Sequence, residues 1–273
     1  MPSIFHIDVK QLFQEKNPGL ARLIPGFVYR YINHIMHLNE INEIIEKYGD
    51  QTGVDFVHKV VQYFGVQQKV FGIEQIPRGK RYIFVSNHPL GGFDGLLLIS
   101  NVHRAMGSVR FLVNDLLMKI PQFEEIFVPL NKHGANSRDA VQNIEQLYAS
   151  DQQILIFPSG LASRKHKGVI EDTEWKKHFI QKAISYQRDV VPVYISGKNS
   201  DFFYRLASLR KALKIKWNLE MFFLSNETFH HKGQEFTLTF GKPIPYQTFN
   251  KSRSHKAWAK QVKEIVYQLS SQA

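Results

Sequence analysis

The chain contains no cysteine. That excludes a disulfide framework, a thiolate nucleophile and a cysteine-bound zinc site, and it suits a reducing compartment. No stretch approaches the roughly 18 apolar residues of a membrane-spanning helix. The apolar run at Gly95–Ser100 is far too short. The opening MPSIFHIDVKQLFQEK has neither the basic start nor the apolar segment of a signal peptide. There is no internal repeat, low-complexity linker, long lysine–arginine block, zinc-finger spacing or RNA-binding signature. Acidic residues are scarce: 24 Asp+Glu against 35 Lys+Arg, a formal net charge of +11. Such a balance points to anionic partners, whether nucleic acid, an anionic membrane, or an acidic protein or substrate. The 21 phenylalanines exceed what nucleic-acid binding needs, so nucleic acid is the least favoured of these.

What is present is enough apolar material for a sizeable core. The 273 residues are 43% hydrophobic, which fits one large domain or one domain with an appendage. From Asp8 to Phe64 the pattern is helical. Leu20, Leu23, Ile24, Phe27, Val28, Tyr31, Ile32, Ile35 and Met36 recur at helical spacing around a break at Pro25-Gly26. Two more helices are expected at Asn39–Tyr48, with Asn39 as N-cap, and at Val54–Phe64. Beyond that the pattern alternates. Strands are expected at Lys69–Ile76, Tyr82–Ser86, Val109–Val113, Val128–Leu130, Ile154–Phe157, Val190–Ile195 and Phe236–Phe240. Helices are expected at Asp94–Met106, within Leu116–Phe127, from Ser137, at Glu174–Gln187 and at His255–Leu269. The expectation is an α/β fold: a mixed, mostly parallel sheet flanked by helices over residues 67–273, preceded by a helical N-terminal cap over residues 1–66.

One junction carries chemistry. In IFVSNHPLGGFDGLLLI a strand ending at Ser86 delivers Asn87 and His88 to the carboxyl edge of the sheet, where open α/β sheets bind ligands. Gly91 and Gly92 permit a tight turn and close approach of a ligand to the backbone. Asp94 stands at the start of the next helix. An imidazole becomes a directed general base when a carboxylate holds Nδ1–H and leaves Nε2 free. With no obvious serine or cysteine nucleophile here, such a base would act on a substrate hydroxyl or on water. Equally, Asp94 could be an ordinary helix cap and Gly-Gly an ordinary loop.

The segment resembles the first block, N-H-x-x-x-x-D, of the glycerol-phosphate and lysophospholipid acyltransferase family. Later blocks follow in order. RFLVNDLLMKIP (Arg110–Pro121) resembles the block beginning F-V-A-K, and IFVPLNK (Ile126–Lys132) the I-x-V-D-R-like segment. LIFPSGLASR (Leu155–Arg164) resembles F-P-E-G-T-R-S, and VVPVYISG (Val190–Gly197) the V-P-V block. The chain also departs from the pattern. Five residues instead of four separate His88 from Asp94, as in a bacterial hemolysin-like subgroup carrying N-H-P-x-G-G. Ser159 stands where glutamate is usual, Arg164 comes two positions late, and Asn114 and Asn131-Lys132 replace the usual residues. The subgroup includes enzymes that acylate lyso-amino-acid lipids such as ornithine or glycine lipids.

The resemblance implies transfer of an acyl chain from a thioester, on coenzyme A or acyl carrier protein, to the hydroxyl of a lyso-lipid. No cofactor and no metal beyond those co-substrates is implied, and the adjacent His230-His231 lacks partners at ligand spacing. It makes His88 the base and Asp94 its partner. Backbone N–H groups around Gly91-Gly92 or Ser159-Gly160 become candidates for stabilising the oxyanion. The acidic acceptor head would be held by Lys132, Arg138 and above all Arg164, with Asn87 beside them; Lys165 and Lys167 read as solvated surface. Membrane contact would come from the Leu20–Met36 pattern with Arg22 and Arg30. A second candidate is FFYRLASLRKALKIKW (Phe202–Trp217), taken as one basic interfacial helix. The expected location is cytoplasmic, peripheral on the inner face of the cell membrane. The rival readings are a hydrolase using the same pair on water and a non-enzymatic binding protein.

Overall fold

The computed structural model describes residues 6–16, 18–113, 120–129, 137–215 and 218–272. Its centre is a seven-stranded sheet: β1 (Gln67–Phe71), β9 (Glu235–Phe240), β8 (Asp189–Ile195), β2 (Tyr82–Ser86), β5 (Gln153–Ile156), β3 (Val109–Val113) and β4 (Phe127–Pro129), in that spatial order. Neighbouring strands are parallel except at β8–β9, so β1 and β9 run against the other five. All five residues of β2 (YIFVS) are buried. Strands covered on both faces read as continuous apolar runs of this kind. Edge strand β1 (QQKVF) alternates exposed and half-buried residues.

Alternation along the strands builds two cores. Phe84, Leu155 and Val191 face α4 (Leu38–Tyr48), α5 (Gly53–Phe64) and α6 (Phe93–Met106). Ile83, Val85, Ile154 and Val190 face α7 (Ser137–Ala149), α8 (His178–Tyr186) and α11 (His255–Gln268). The first core crosses the expected boundary at residue 66, because Ile44, Ile45, Phe56, Val57 and Phe64 belong to it. Helices α1 (Val9–Lys16), α2 (Pro18–Leu23) and α3 (Gly26–Ile35) gather with the start of α4 around a small cluster of Val9, Tyr29 and Leu38, which Ile7 and Ile41 join to the first core. Buried Arg188 donates to the carbonyl of Tyr148 in the last turn of α7 and to those of Ser150 and Gln152 just past its end, so a guanidinium meets carbonyls at a helix end that have no intrahelical partner.

Several boundaries differ from expectation. Strand β1 stops at Phe71 because Gly72 adopts φ 81° and a 3-10 turn follows at Ile73–Gln75. Helix α4 begins at Leu38 after His37 in a left-handed conformation, so Asn39 is not its N-cap. Of the helix expected within 116–127, residues 116–119 lie outside the described residues, and the remainder holds a 3-10 turn at Pro121–Phe123. Three elements were unanticipated as such. They are the two strands of a hairpin, β6 (Arg164–His166) and β7 (Val169–Glu171), and α10 (Leu224–His230); the 202–217 stretch also breaks, at the end of α9 (Asp201–Ala212).

Candidate active site

Parallel strands β2, β5 and β8 end together, and their following residues converge at one edge. His88 follows β2, Phe157 to Gly160 follow β5, and Gly197 to Ser200 follow β8. Asn87 ties two of these ends. Its side-chain oxygen accepts from the Ile195 N–H at 2.8 Å, and its amide donates to the Ile195 carbonyl at 2.8 Å. With 3% exposure, Asn87 is a clamp between strands; its amide is not presented to a ligand.

The expected pair forms. His88 Nδ1 lies 2.9 Å from Asp94 Oδ2, with the imidazole side chain 14% exposed and Asp94 fully buried. Asp94 sits in the first turn of α6, one residue inside its start, and does more than hold the ring. The same Oδ2 accepts the Leu90 N–H, while Oδ1 accepts those of Gly92 and Gly95. Burial pushes the Asp94 carboxyl up, but the His88 imidazole and these N–H groups outweigh it, and the carboxyl ends below its ordinary value. The extra residue in the motif is absorbed at Gly91, whose φ of 78° is left-handed and whose missing Cβ leaves room for Leu224 Cδ2, 2.4 Å from where that atom would stand.

One face of the His88 ring stacks on Phe157, with centroids 4.0 Å apart and an interplanar angle of 18°. Nε2 has no hydrogen-bond partner among the described residues. Phe157 is held edge-on by Phe111, and the two rings pack against Gly95 of α6, where a Cβ would meet Phe111 at 2.9 Å. The site therefore offers a carboxylate-oriented imidazole, shielded on one face, with Nε2 available at the sheet edge.

Two suggested oxyanion donors are already used: Gly92 N–H by Asp94 and Gly160 N–H by the Phe157 carbonyl at 3.0 Å. Ser159, 4% exposed, turns its hydroxyl to the Leu161 carbonyl. Arg164 is close by, since the N–H of its neighbour Ser163 donates to the His88 carbonyl at 2.7 Å. Its guanidinium donates to the Ala162 carbonyl and to Glu220, and stacks over Phe203. Glu220 is fully buried and also accepts from Arg210 at 2.7 Å. Two guanidiniums thus share one carboxylate, leaving a surplus positive charge beside the site. Lys165 pairs with Asp201 on the exposed surface. Lys132 lies outside the described residues, as does the side chain of Arg138 on α7. Phe157 lay within a quoted block, but Glu220, Arg210 and the buried Asp172, which accepts the His88 N–H, were missed. Only Glu220 leaves a local signal, a lone acid in the apolar run LEMFFL; Asp172 is one of three acids in IEDTE, and Arg210 one of several cations in its stretch.

The chain is 47% identical to a lyso-glycine lipid O-acyltransferase of Bacteroides thetaiotaomicron over 268 residues, 98% of each chain. It is 44% identical to a lyso-glycine lipid O-acyltransferase of Phocaeicola vulgatus, covering 98% of this chain and 96% of that one. Among solved structures, the crystal structure of the 1-acyl-sn-glycerophosphate acyltransferase PlsC of Thermotoga maritima aligns over 96% of both chains, at 17% identity and a TM-score of 0.47. The acyltransferase family model matches residues 11–272, and the chain belongs to that family of acyl-transferring enzymes.

Proposed function

We propose that the enzyme transfers a fatty acyl group from an acyl carrier protein or coenzyme A thioester to the hydroxyl of a lyso-glycine lipid, with His88 as general base. The observation that carries this reading is the His88–Asp94 pair, which fixes Nδ1 and leaves Nε2 without a partner among the described residues. The two full-length relatives named for that acceptor support the choice of substrate. Nε2 takes the hydroxyl proton as the oxygen attacks the thioester carbonyl. The carbon–sulfur bond then breaks, and the imidazolium returns its proton to the leaving thiolate, giving ester and thiol. Asp94 stabilises the imidazolium between these steps. General-base assistance of this kind contributes roughly 10²–10⁴-fold. The surplus charge of the Arg164–Glu220–Arg210 group suits the carboxylate of a glycine head.

No helix among the described residues is long and apolar enough to cross a membrane. A lipid acceptor therefore calls for a peripheral surface, and we place it on the inner face of the cell membrane. Leu23, Phe27 and Tyr31 on α2 and α3 are 79%, 64% and 56% exposed beside exposed Arg22 and Arg30. A second group, Phe202, Leu209, Leu213 and Ile215, surrounds exposed Arg205, Lys211 and Lys214. The second stretch is not the single helix expected: α9 ends at Ala212, Lys214 is left-handed, Arg210 is drawn inward by Glu220, and Lys216 and Trp217 lie outside the described residues.

The test is acylation of purified lyso-glycine lipid by parent and His88→Ala protein. Parent should form the diacylated lipid and His88→Ala should not, with unchanged circular dichroism. Release of free fatty acid by the parent without lipid product would instead identify a hydrolase. Undiminished transfer by His88→Ala would remove the base from the mechanism.

A further inference from the structure

Asp94 holds the His88 ring, but a second buried carboxylate holds its main chain. Asp172, 2% exposed, follows β7, and its Oδ1 accepts the His88 N–H at 3.1 Å. The same oxygen accepts the Ser163 hydroxyl at 2.6 Å, while Ser163 N–H donates to the His88 carbonyl at 2.7 Å. Both peptide groups flanking the His88 α-carbon are thus closed into one ring of hydrogen bonds with Asp172 and Ser163. The other carboxylate oxygen accepts Trp175 Nε1–H at 2.9 Å, and Trp175 is rooted in the core under α8. Helix α11 braces the segment: the Asp172 N–H donates to the Tyr267 hydroxyl at 2.7 Å, and Lys263 Nζ donates to the Asp172 carbonyl.

We propose that Asp172 is a positioning residue of acyl transfer, which fixes the His88 backbone and supplies a second fixed negative charge for the imidazolium that forms during the reaction. The inference rests on His88 acting as the base. The three groups that hydrogen-bond to the carboxylate are all donors, so its ionised form is the one they satisfy. Burial pushes the Asp172 carboxyl up and prevails over the hydrogen bonds from Ser163, Trp175 and the His88 N–H and the attraction of the His88 ring, so the carboxyl ends above its ordinary value; it is the donors surrounding it that favour its charged form. Among the described residues, the charged and titratable groups facing this arrangement are Asp94 from α6, Arg164 from β6, whose guanidinium donates to the Ser163 carbonyl and pairs with Glu220, Asp172 and Glu171 from the hairpin, and Lys263 and Tyr267 from α11. Lys263 lies against the Asp172 carbonyl and Glu171, so the two aspartates are the charges in direct contact with His88. A merely architectural role would require only the hydrogen bonds. A positioning and electrostatic role requires the charge as well.

Asp172→Asn separates the two. The amide oxygen can still accept from His88 and Ser163, while the charge is lost. Because the new NH₂ would face the Trp175 N–H, the comparison is made between Trp175→Phe and Asp172→Asn/Trp175→Phe, in which that clash is absent. Both are followed by circular dichroism and steady-state kinetics across pH. The expected result is a fall in kcat of roughly 10–100-fold, the loss typical of a group that orients a reacting ligand. The lyso-lipid KM should stay within about threefold, and the acid limb of kcat should move to lower pH, because the imidazolium loses one of its two carboxylates. A folded double variant with kcat within threefold of Trp175→Phe and an unmoved acid limb would overturn the proposal. So would a matched loss in which KM rises while the limb stays put. If His88→Ala itself retains full transfer, the underlying base assignment has failed instead, and that control tells the two failures apart.

Discussion

Replacing Asp94 by Asn separates the catalytic work proposed for one buried carboxylate from its architectural work. The two oxygens accept four donors: His88 Nδ1–H and the Leu90 N–H on Oδ2, and the Gly92 and Gly95 N–H groups on Oδ1. An asparagine can satisfy only one of these pairs, because its NH₂ turns donors toward donors on the other side. If the amide oxygen stays with Gly92 and Gly95, the NH₂ meets Nδ1, the imidazole takes the opposite tautomer, and Nε2 carries the proton it should remove. The same change in a serine-protease triad costs about 10⁴ in rate. If the oxygen stays with His88, the tautomer survives, but the first turn of α6 loses its acceptor and the imidazolium its counter-charge. Either way turnover should fall at least about 10²-fold, and stability by about 2–4 kcal/mol, from lost hydrogen bonds to a charged group. Thiol release from an acyl-coenzyme A donor, read with a thiol reagent, is a clean assay because the chain itself contains no cysteine. The pH dependence of stability follows from the sign of the shift. The folded carboxyl lies below its ordinary value, so its contribution is complete above the unfolded carboxylate range and is lost as pH falls beneath it. The Tm gap between parent and Asp94→Asn should therefore narrow below about pH 4. Folded Asp94→Asn protein with turnover within tenfold of the parent would show that Asp94 does not set the His88 tautomer in the reacting enzyme.

Arg164→Ala should raise the lyso-lipid KM roughly 10–100-fold, the value of a hydrogen bond between charged groups, and leave the donor KM within about twofold; equal losses for both substrates would reject a head-group role. It should also lower Tm, since fully buried Glu220 would keep only Arg210. Gly91→Ala should be poorly tolerated, because a methyl group there meets Leu224 and the backbone is left-handed. The left-handed backbone alone costs about 1–2 kcal/mol and would remain, but the clash with Leu224 should be relieved by pairing Gly91→Ala with Leu224→Ala, and an additive double variant would show that α10 does not press on the Gly91 turn. Arg205→Glu with Lys211→Glu and Lys214→Glu should weaken sedimentation with anionic vesicles at low salt. Each exposed cation near the surface contributes about 1 kcal/mol, screened as salt rises. Undiminished sedimentation would leave docking to Leu23, Phe27 and Tyr31.

How far the site was legible in the sequence depended on which residues carry local information. Strands β2 and β3 match the sequence expectation to the residue, and β8 and β9 to within one, because largely buried apolar runs declare themselves by composition alone. His88 and Asp94 were legible because six positions of chain bring them together, and the two glycines between them announce a turn. The edge of the site was not legible, for the opposite reason. Glu220 meets Arg164 across 56 residues, and Asp172 meets His88 across 84, so neither leaves a periodic or spaced signal. Burial of those two acids is imposed by tertiary packing, of an apolar run around Glu220 and of an acidic, solvated-looking segment around Asp172. Arg210 shows the consequence: beside Lys211 and Lys214 it reads as a membrane-facing cation, yet the buried carboxylate of Glu220 draws its guanidinium inward. The charge that sequence assigns to the lipid surface is thus bound in part to the buried Arg164–Glu220 pair, a partner legible only in space.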